Sequence, residues 1–152
     1  MELHSEYLLD LTIAGLAMNG LACGMAPTPS HLMTAFGKPS RVLRVKRGIA
    51  TNREQWIFDE LGIRALVEDD GAVLHDVCAY FETGYKRPEL AEAMPKEPYR
   101  WTVRLGRYRL RQGISFEAAM EVEKVRLNGF RIGVSEYQDR VATCDIAVPL
   151  LS

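Results

Sequence analysis

The sequence predicts an α+β fold in which a mostly antiparallel sheet packs with two short helices, in a single domain over residues 1–152. Short runs of alternating apolar and polar residues are separated by turn dipeptides such as Asn19-Gly20 and Asp70-Gly71, a pattern typical of antiparallel strands. Two other segments carry a capping residue before an apolar stripe with helical spacing. The length of 152 residues suits one domain.

The first third of the chain predicts a hairpin followed by a helix. Apolar residues alternate from Leu9 to Ile13 within the hairpin segment 7–23, and Asn19-Gly20 suits a two-residue type I′ turn. In the following stretch, GMAPTPSHLMTAFGKPSR, Thr28 can cap a helix of about two turns that ends at Gly37.

A phosphate-binding loop is the alternative for this stretch, because Gly37 and Lys38 stand side by side. A Walker loop places its Gly-Lys pair before the helix, so that Lys and backbone N–H groups meet the phosphates. Here the pair follows the helix and precedes Pro39. The stretch is therefore interpreted as scaffold.

The middle of the chain predicts extended structure in RVLRVKRGIA, then a second apolar run, QWIFDELGIRALVE, which is broken by Gly62, and then a strand in AVLHDVCAYFE after the Asp70-Gly71 turn. These segments, the third to fifth strands of the chain, are expected to form an antiparallel meander. Residues 82–100 form a long connection with one helical turn after Pro88, and connections of this length are usually functional.

The final third predicts a strand pair with a bulge or turn at Gly106, where the alternation shifts by one residue. Ser115 can cap a helix over FEAAMEVEKVRL, whose residues Ala118, Val122 and Val125 lie on one stripe and which Asn128-Gly129 ends. Strands GFRIGVSEY and ATCDIAVPL follow. The repeated order of hairpin, helix and strands predicts a weak internal duplication.

The charge balance, the cysteines and the N-terminus of the sequence limit the classes of partner and the compartment that we expect. Nineteen Lys and Arg balance twenty Asp and Glu, so a net charge of −1 gives no overall attraction to nucleic acid or to an anionic membrane. Cys23, Cys78 and Cys144 lack a CxxC pair and are odd in number, which predicts free thiols in a reducing compartment. The acidic N-terminus resembles no signal peptide, and no apolar run reaches a membrane span. We expect a cytoplasmic protein without a membrane partner.

Motifs for catalysis, metals or cofactors are not found in the sequence, so we expect a protein that is not an enzyme and binds neither a metal nor a cofactor. His75 and Asp76 are neighbours in a strand and point to opposite faces, which disfavours a shared metal with Cys78. Asp59 and Glu60 interrupt an apolar strand, and the preferred interpretation is a structural salt bridge or a strand-end turn.

Two basic stretches raise the alternative of a nucleic-acid-binding module with an arginine-rich β-ribbon. They comprise Lys38, Arg41, Arg44, Lys46 and Arg47, and then Arg100, Arg104, Arg107, Arg109 and Arg111. Tyr99, Trp101 and Tyr108 could stack bases beside them. The opposing interpretation is a solvated sheet face whose charges prevent edge-to-edge association. A small enzyme with no readable motif is a further alternative.

Two segments carry a family resemblance over about residues 9–75. The stretch GMAPTPSHLMTAFGKPSR is similar to the helix-then-sheet repeats of beta-lactamase inhibitory proteins and of outer-membrane assembly lipoproteins. GKPSR followed by WIFDELGI more closely resembles a bacterial domain of immunity proteins from type VI secretion and other polymorphic toxin systems. The resemblance implies a cytoplasmic inhibitor that binds a cognate protein toxin and occludes its active site.

The toxin is expected to contact the long connection and the neighbouring hairpin tip, because interface energy concentrates in Tyr, Trp and Arg anchors and acidic groups steer a basic partner. The predicted contact residues are Glu68, Asp69, Asp70, Tyr85, Arg87, Glu89 and Tyr99. The arginine ribbon and the acidic side of the second helix, with Glu117, Glu121 and Glu123, are the alternative surfaces. Homo-oligomerisation is left open.

Overall fold

The computed structural model describes residues 1–44, 53–68, 71–85 and 93–149. Within these ranges the strands form two sheets, and the predicted α+β fold is confirmed. The strands are β1 (Leu9–Thr12), β2 (Gly15–Met18), β3 (Leu21–Gly24), β4 (Arg41–Arg44), β5 (Arg53–Phe58), β6 (Ile63–Glu68), β7 (Val73–Tyr80), β8 (Val103–Leu105), β9 (Tyr108–Leu110), β10 (Arg131–Tyr137) and β11 (Arg140–Ala147). The helices are α1 (Pro29–Phe36) and α2 (Phe116–Ala119), and α2 continues as a 3₁₀ helix (Met120–Lys124).

The two sheets draw strands from both ends of the chain. The first has the order β3-β2-β1-β8-β9, and the second has the order β10-β11-β7-β6-β5-β4. The β1–β8 pair is parallel, whereas the other neighbours pair antiparallel. Buried residues of both sheets and of α1 belong to one hydrophobic cluster, which includes Leu9, Leu32, Phe58, Val77 and Phe130.

The N-terminal segment contains two turns where the sequence predicted one hairpin. The type I′ turn at Asn19-Gly20 is confirmed, with φ of +49° and +81°. An additional turn precedes Gly15, whose φ is +108° and whose Cα lies so close to Gly24 that a Cβ would stand 2.2 Å from the Gly24 carbonyl oxygen. Ile13 therefore lies in a turn and is 82% exposed, so its assignment to the first strand is wrong.

Helix α1 confirms the predicted capped helix that ends at Gly37. The Thr28 hydroxyl accepts a hydrogen bond from His31 N at 3.2 Å, and His31 Nδ1 accepts one from Thr28 N at 3.0 Å. Gly37 ends the helix with a φ of +82° and donates its N–H to the Met33 carbonyl. Phe36 is buried and meets Phe58 edge-on, with 5.7 Å between ring centroids, which fixes the helix against the second sheet.

Strands β4 to β7 confirm the predicted antiparallel meander, in which the break at Gly62 divides the predicted second run into two strands, β5 and β6. The turn between β5 and β6 includes Gly62, whose φ is +69°. The predicted turn residue Asp70, the helical turn after Pro88 and the second half of RVLRVKRGIA lie outside the described residues.

The final third follows the predicted order with a shorter helix. Gly106 forms the predicted turn with a φ of +61°, and the Ser115 hydroxyl caps α2 by accepting from Ala118 N at 3.2 Å. The helical segment ends before Val125, which is extended, so the predicted stripe is wrong: Ala119 and Val122 are buried, whereas Ala118 is exposed. A 3₁₀ helix has three residues per turn, which places Ala119 and Val122 on the same face.

Asn128-Gly129 does not end a helix. These residues have φ of +54° and +84° and form a turn between bridge partners Leu127 and Phe130. In each half of the chain, strands of the first sheet precede a helix and then strands of the second sheet. Internal duplication itself stays a prediction. Neither helix in the described ranges has both the length and the apolar character needed to cross a membrane.

Candidate functional site

The predicted toxin-contact residues that the structure describes do not form one patch. Glu68 ends β6, where its carboxylate contacts the His75 ring and lies 3.9 Å from Arg53 Nε. Tyr85 stacks on Tyr137 with 4.8 Å between ring centroids. The other acidic and basic members of the predicted set lie outside the described residues. They are Asp69, Asp70, Arg87 and Glu89.

Tyr99 is a core residue, which corrects its assignment as a contact residue. Its side chain is 0% exposed. The hydroxyl accepts a hydrogen bond from Leu9 N and donates one to the Thr102 carbonyl, both at 3.3 Å. Burial raises the pKa of Tyr99 far above its ordinary value. The end of the long connection therefore returns to the core, where Tyr99 N also donates to the Tyr80 carbonyl at 2.6 Å.

Two adjoining clefts lie at the end of α1, and the long connection lines one of them through Lys96 and Glu97, while Trp101, the residue that follows the connection, lines the other. The Trp101 cleft, of about 500 Å³, lies between the N-terminus, the end of α1 and the β5–β6 turn, and is lined by Met1, Leu3, Phe36, Gly37, Lys38, Ser40, Phe58, Glu60, Leu61 and Trp101. The Asp59 cleft, of about 440 Å³, is lined by Ser40, Arg41, Asp59, Glu60, Lys96 and Glu97. Both volumes lie within the range of binding sites.

An ion pair fixes the floor of the Asp59 cleft. Asp59 follows β5 and accepts two hydrogen bonds from the Arg41 guanidinium, each of 3.0 Å, and one from Lys96 N at 3.0 Å. Ser40 Oγ accepts from Asp59 N at 2.9 Å. Burial opposes ionisation of Asp59, but the Arg41 guanidinium and the Lys96 N–H outweigh burial and hold the pKa of Asp59 below its usual range. The predicted structural salt bridge at a strand end is confirmed.

The N-terminal wall of the Trp101 cleft is held in place by a buried asparagine. Asn19 Oδ1 accepts from His4 N at 2.8 Å, while Asn19 Nδ2 donates to the carbonyls of Glu2 at 2.9 Å and Ala35 at 3.1 Å. The turn residue therefore ties residues 2–4 to helix α1. As a result, Met1 and Leu3 stand at the cleft with 58% and 51% of their surfaces exposed.

The second sheet carries a pair of carboxyl groups that the sequence did not reveal. Asp145 on β11 lies opposite Cys78, and Asp76 lies two residues along β7 from Cys78. Burial raises the pKa of Asp145 to about 7, together with the charge of Asp76 and a hydrogen bond to its side chain, while Arg64 opposes the shift. Because a carboxylate cannot donate, this hydrogen bond exists when one of the pair is protonated.

One oxygen of Asp145, Oδ1, is shielded from solvent and has no hydrogen-bond partner among the described residues. Strand alternation places Asp145 between buried Cys144 and Ile146, and so on the other face of the sheet. That alternation was readable in the sequence. The proximity to Asp76 was not, because it depends on strand order.

Arginines of the predicted β-ribbon form contacts within the molecule. Arg104 pairs with Asp10 through both carboxylate oxygens, its Nε at 2.7 Å from Oδ1, and lies 4.4 Å from the centroid of Tyr7. Arg109 Nε donates to the Tyr7 hydroxyl at 3.2 Å. The predicted stacking set is not formed, because Tyr99 is buried. Lys46 and Arg47 lie outside the described residues.

The three cysteines are free, as predicted, and the structure shows in addition that all three are buried. Burial raises the pKa of each thiol, most strongly at Cys78 and Cys144. In the described ranges, no three or more His, Cys, Asp or Glu residues are grouped so that they could hold a metal ion. The chain matches no protein-family model, no curated protein and no solved structure with which it was compared.

Proposed function

We propose that the protein is a cytoplasmic immunity protein that binds a cognate bacterial toxin and occludes its active site, and that the toxin is bound at the Trp101 cleft. The observation that carries the proposal is the composition of this cleft. Exposed Met1 and Leu3 stand beside half-buried Trp101, and charged Lys38 and Glu60 lie at its border. Protein interfaces commonly combine aromatic and methionine anchors with a polar rim.

The charged part of this surface continues into the Asp59 cleft. Lys96 and Glu97 are exposed there, and Arg100 pairs with Glu97 at 2.9 Å across the outside of the connection. Both signs of charge are present within a short span. A partner that offers complementary charges would gain orientation and association rate from them, while the apolar centre would supply most of the affinity.

The long connection supports the proposal through other residues than those predicted from the sequence. Its last residues hold Trp101 at the cleft, because Trp101 packs edge-on against buried Tyr99 with 5.6 Å between ring centroids. A preformed aromatic anchor loses little side-chain entropy on binding. The connection therefore contributes Lys96 and Glu97 to the proposed surface, while its buried residue Tyr99 supports the adjacent Trp101 from within.

The test is growth protection in cells that co-express the protein with the toxin encoded beside its gene. Leu3→Glu places a charge in the cleft and should weaken both complex formation and protection at least tenfold. Ile13→Glu is the matched control, since it makes the same change at an exposed residue that does not line the cleft. Both variants should melt within a few degrees of the natural protein.

A second pair of variants examines the charged rim. Glu60→Lys reverses an exposed charge shared by both clefts and should slow association with the toxin. Glu136→Lys, which makes the same charge reversal at an exposed residue of β10 that lines neither cleft, is the control. Full protection by Leu3→Glu and Glu60→Lys would place the interface elsewhere, and the absence of any neutralised toxin would remove the immunity function itself.

A further inference from the structure

A third cleft lies between the turn of the β8–β9 hairpin and the end of the 3₁₀ helix. This Tyr108 cleft has a volume of about 460 Å³ and is lined by Leu105, Arg107, Tyr108, Lys124, Val125 and Arg126, with Gly106, Glu121 and Leu127 completing it. None of its residues belongs to the surface proposed for toxin binding. The volume lies in the range of small-ligand sites.

The backbone on both sides of the Tyr108 cleft is held in place. Gly106 turns with a φ of +61° and donates its N–H to the Leu11 carbonyl at 2.8 Å. A Cβ on Gly106 would lie 3.5 Å from Leu127 Cδ1, so the turn approaches the opposite wall closely. On that wall Val125 N donates to the Val122 carbonyl at 3.0 Å. The cleft is therefore a preformed feature of the fold.

Positive charge predominates at the rim. Arg107, Lys124 and Arg126 are exposed and face a single carboxylate of the lining, Glu121. Lys124 pairs with Glu121 at 3.2 Å, but an exposed pair of this kind contributes little and rearranges readily. In the described part of the chain, Arg107 has no carboxylate partner. These cations can therefore accept an anionic group.

The arginines retain donors for such a group. Arg126 Nη1 donates to the carbonyls of Glu123 at 2.6 Å and Val125 at 3.0 Å, and these bonds orient the guanidinium. The N–H groups of Nε and Nη2 are left to donate to a ligand. Arg107 donates through Nη2 to the Tyr108 hydroxyl at 3.1 Å. An oriented guanidinium matches the oxygen geometry of a phosphate.

The interior of the cleft is apolar and aromatic. Leu105 is fully buried beneath it, Val125 and Leu127 are half-buried, and the Tyr108 ring is half-buried with the Arg107 guanidinium carbon 5.1 Å from its centroid. A planar ring can stack on tyrosine and on a guanidinium plane. The lining thus combines a surface for a flat ring with donors for an anion.

We infer that the Tyr108 cleft binds a phosphate-bearing planar ring of mononucleotide type. The ring would lie against Tyr108, Val125 and Leu127, and the phosphate would lie between Arg107, Lys124 and Arg126. This chemistry has two sources, a free nucleotide and a nucleotide of a single-stranded nucleic acid. The inference does not rest on the proposed toxin-binding function, since the two surfaces share no residue.

The test is calorimetric and NMR titration of the natural protein with 5′-AMP, adenosine, inorganic phosphate and a single-stranded oligoribonucleotide of about eight residues. Saturable binding of 5′-AMP is expected at about 1 mM or tighter, with adenosine and phosphate at least tenfold weaker. Amide shifts should concentrate at residues 105–108 and 124–127. Tighter binding of the oligonucleotide, with a steep loss in salt, would identify a strand as the source.

Two variants and a control make the test specific. Arg107→Glu and Lys124→Glu should each weaken 5′-AMP binding at least tenfold. Arg131→Glu makes the same charge change at an exposed arginine of β10, outside the cleft, and should have little effect. No saturable binding by either nucleotide probe, or equal losses in all three variants, would overturn the inference. Phosphate binding as tight as 5′-AMP binding would overturn the role of the ring.

Discussion

Replacing Asp145 by asparagine should change how the stability of the protein depends on pH. Asp145 is half-buried beside Asp76 and Cys78, with its Oδ1 shielded from solvent, and Arg64 on β6 is the cation that faces it. Its pKa is raised from an ordinary value of 3.8 to about 7. Below about pH 4 the group is protonated in both the folded and the unfolded chain.

As the pH rises above about 4, the unfolded chain releases this proton while the folded protein keeps it. Folding stability is therefore lost progressively up to about pH 7 and stays constant above. Three pH units at about 1.4 kcal/mol each set a ceiling of about 4 kcal/mol. The remaining access to water reduces this figure, and we expect a change of about 2–4 kcal/mol.

Asp145→Asn removes the titration and keeps a donor for Asp76, because the asparagine amide replaces the protonated carboxyl. Urea unfolding of both proteins at about pH 4, 5, 6, 7 and 8 measures the effect. The free energy of unfolding of Asp145→Asn, relative to the natural protein, should rise by about 2–4 kcal/mol across this range. Asp139→Asn, at an exposed turn residue, should leave the profile unchanged. Parallel profiles for Asp145→Asn and the natural protein would refute the reasoning.

Three further predictions concern the scaffold and are measured by equilibrium unfolding. Phe36→Ala should lower the free energy of unfolding by about 3–5 kcal/mol, because the ring is buried against the second sheet. Lys38→Ala should leave the free energy of unfolding nearly unchanged. Equal losses in the two variants would contradict the scaffold role of α1. Gly62→Ala should cost at least about 3 kcal/mol, since its Cβ would lie 2.1 Å from a backbone nitrogen, and a stable variant would disprove that close approach. Asp59→Asn should lower the free energy of unfolding by about 2–4 kcal/mol, because it removes the charge that faces Arg41 and replaces one of the two acceptor oxygens by an amide NH₂ group that cannot accept. A neutral result would show that the ion pair contributes nothing.

Local patterns in the sequence were sufficient to predict the fold class and most of the turns. Thr28 and Ser115 were recognisable as caps because their hydroxyls accept from backbone N–H groups three residues on, within the same short segment. Asn19-Gly20 was readable for the same reason, since a type I′ turn requires two residues that tolerate positive φ. Such interactions involve neighbours in sequence, so the sequence is sufficient to predict them.

Interactions between distant segments were not predicted. The parallel pairing of β1 with β8 brings Asp10 opposite Arg104, and nothing local indicates that register. Tyr99 looked like an exposed anchor because it lies among prolines and charges, yet its hydroxyl reaches Leu9 N. The candidate cleft likewise joins the N-terminus, α1, the β5–β6 turn and Trp101, four separate parts of the chain.

Amide hydrogen exchange of the protein, alone and in complex with the toxin that we propose as its partner, tests the proposed interface most directly. The slowed amides should lie at residues 1–4, at the end of α1, in the β5–β6 turn and at residues 96–101. Leu3→Glu should abolish that protection together with the complex, while Ile13→Glu should preserve both. Slowed exchange confined to the arginine ribbon or to α2, with no change around Trp101, would contradict the proposed binding surface.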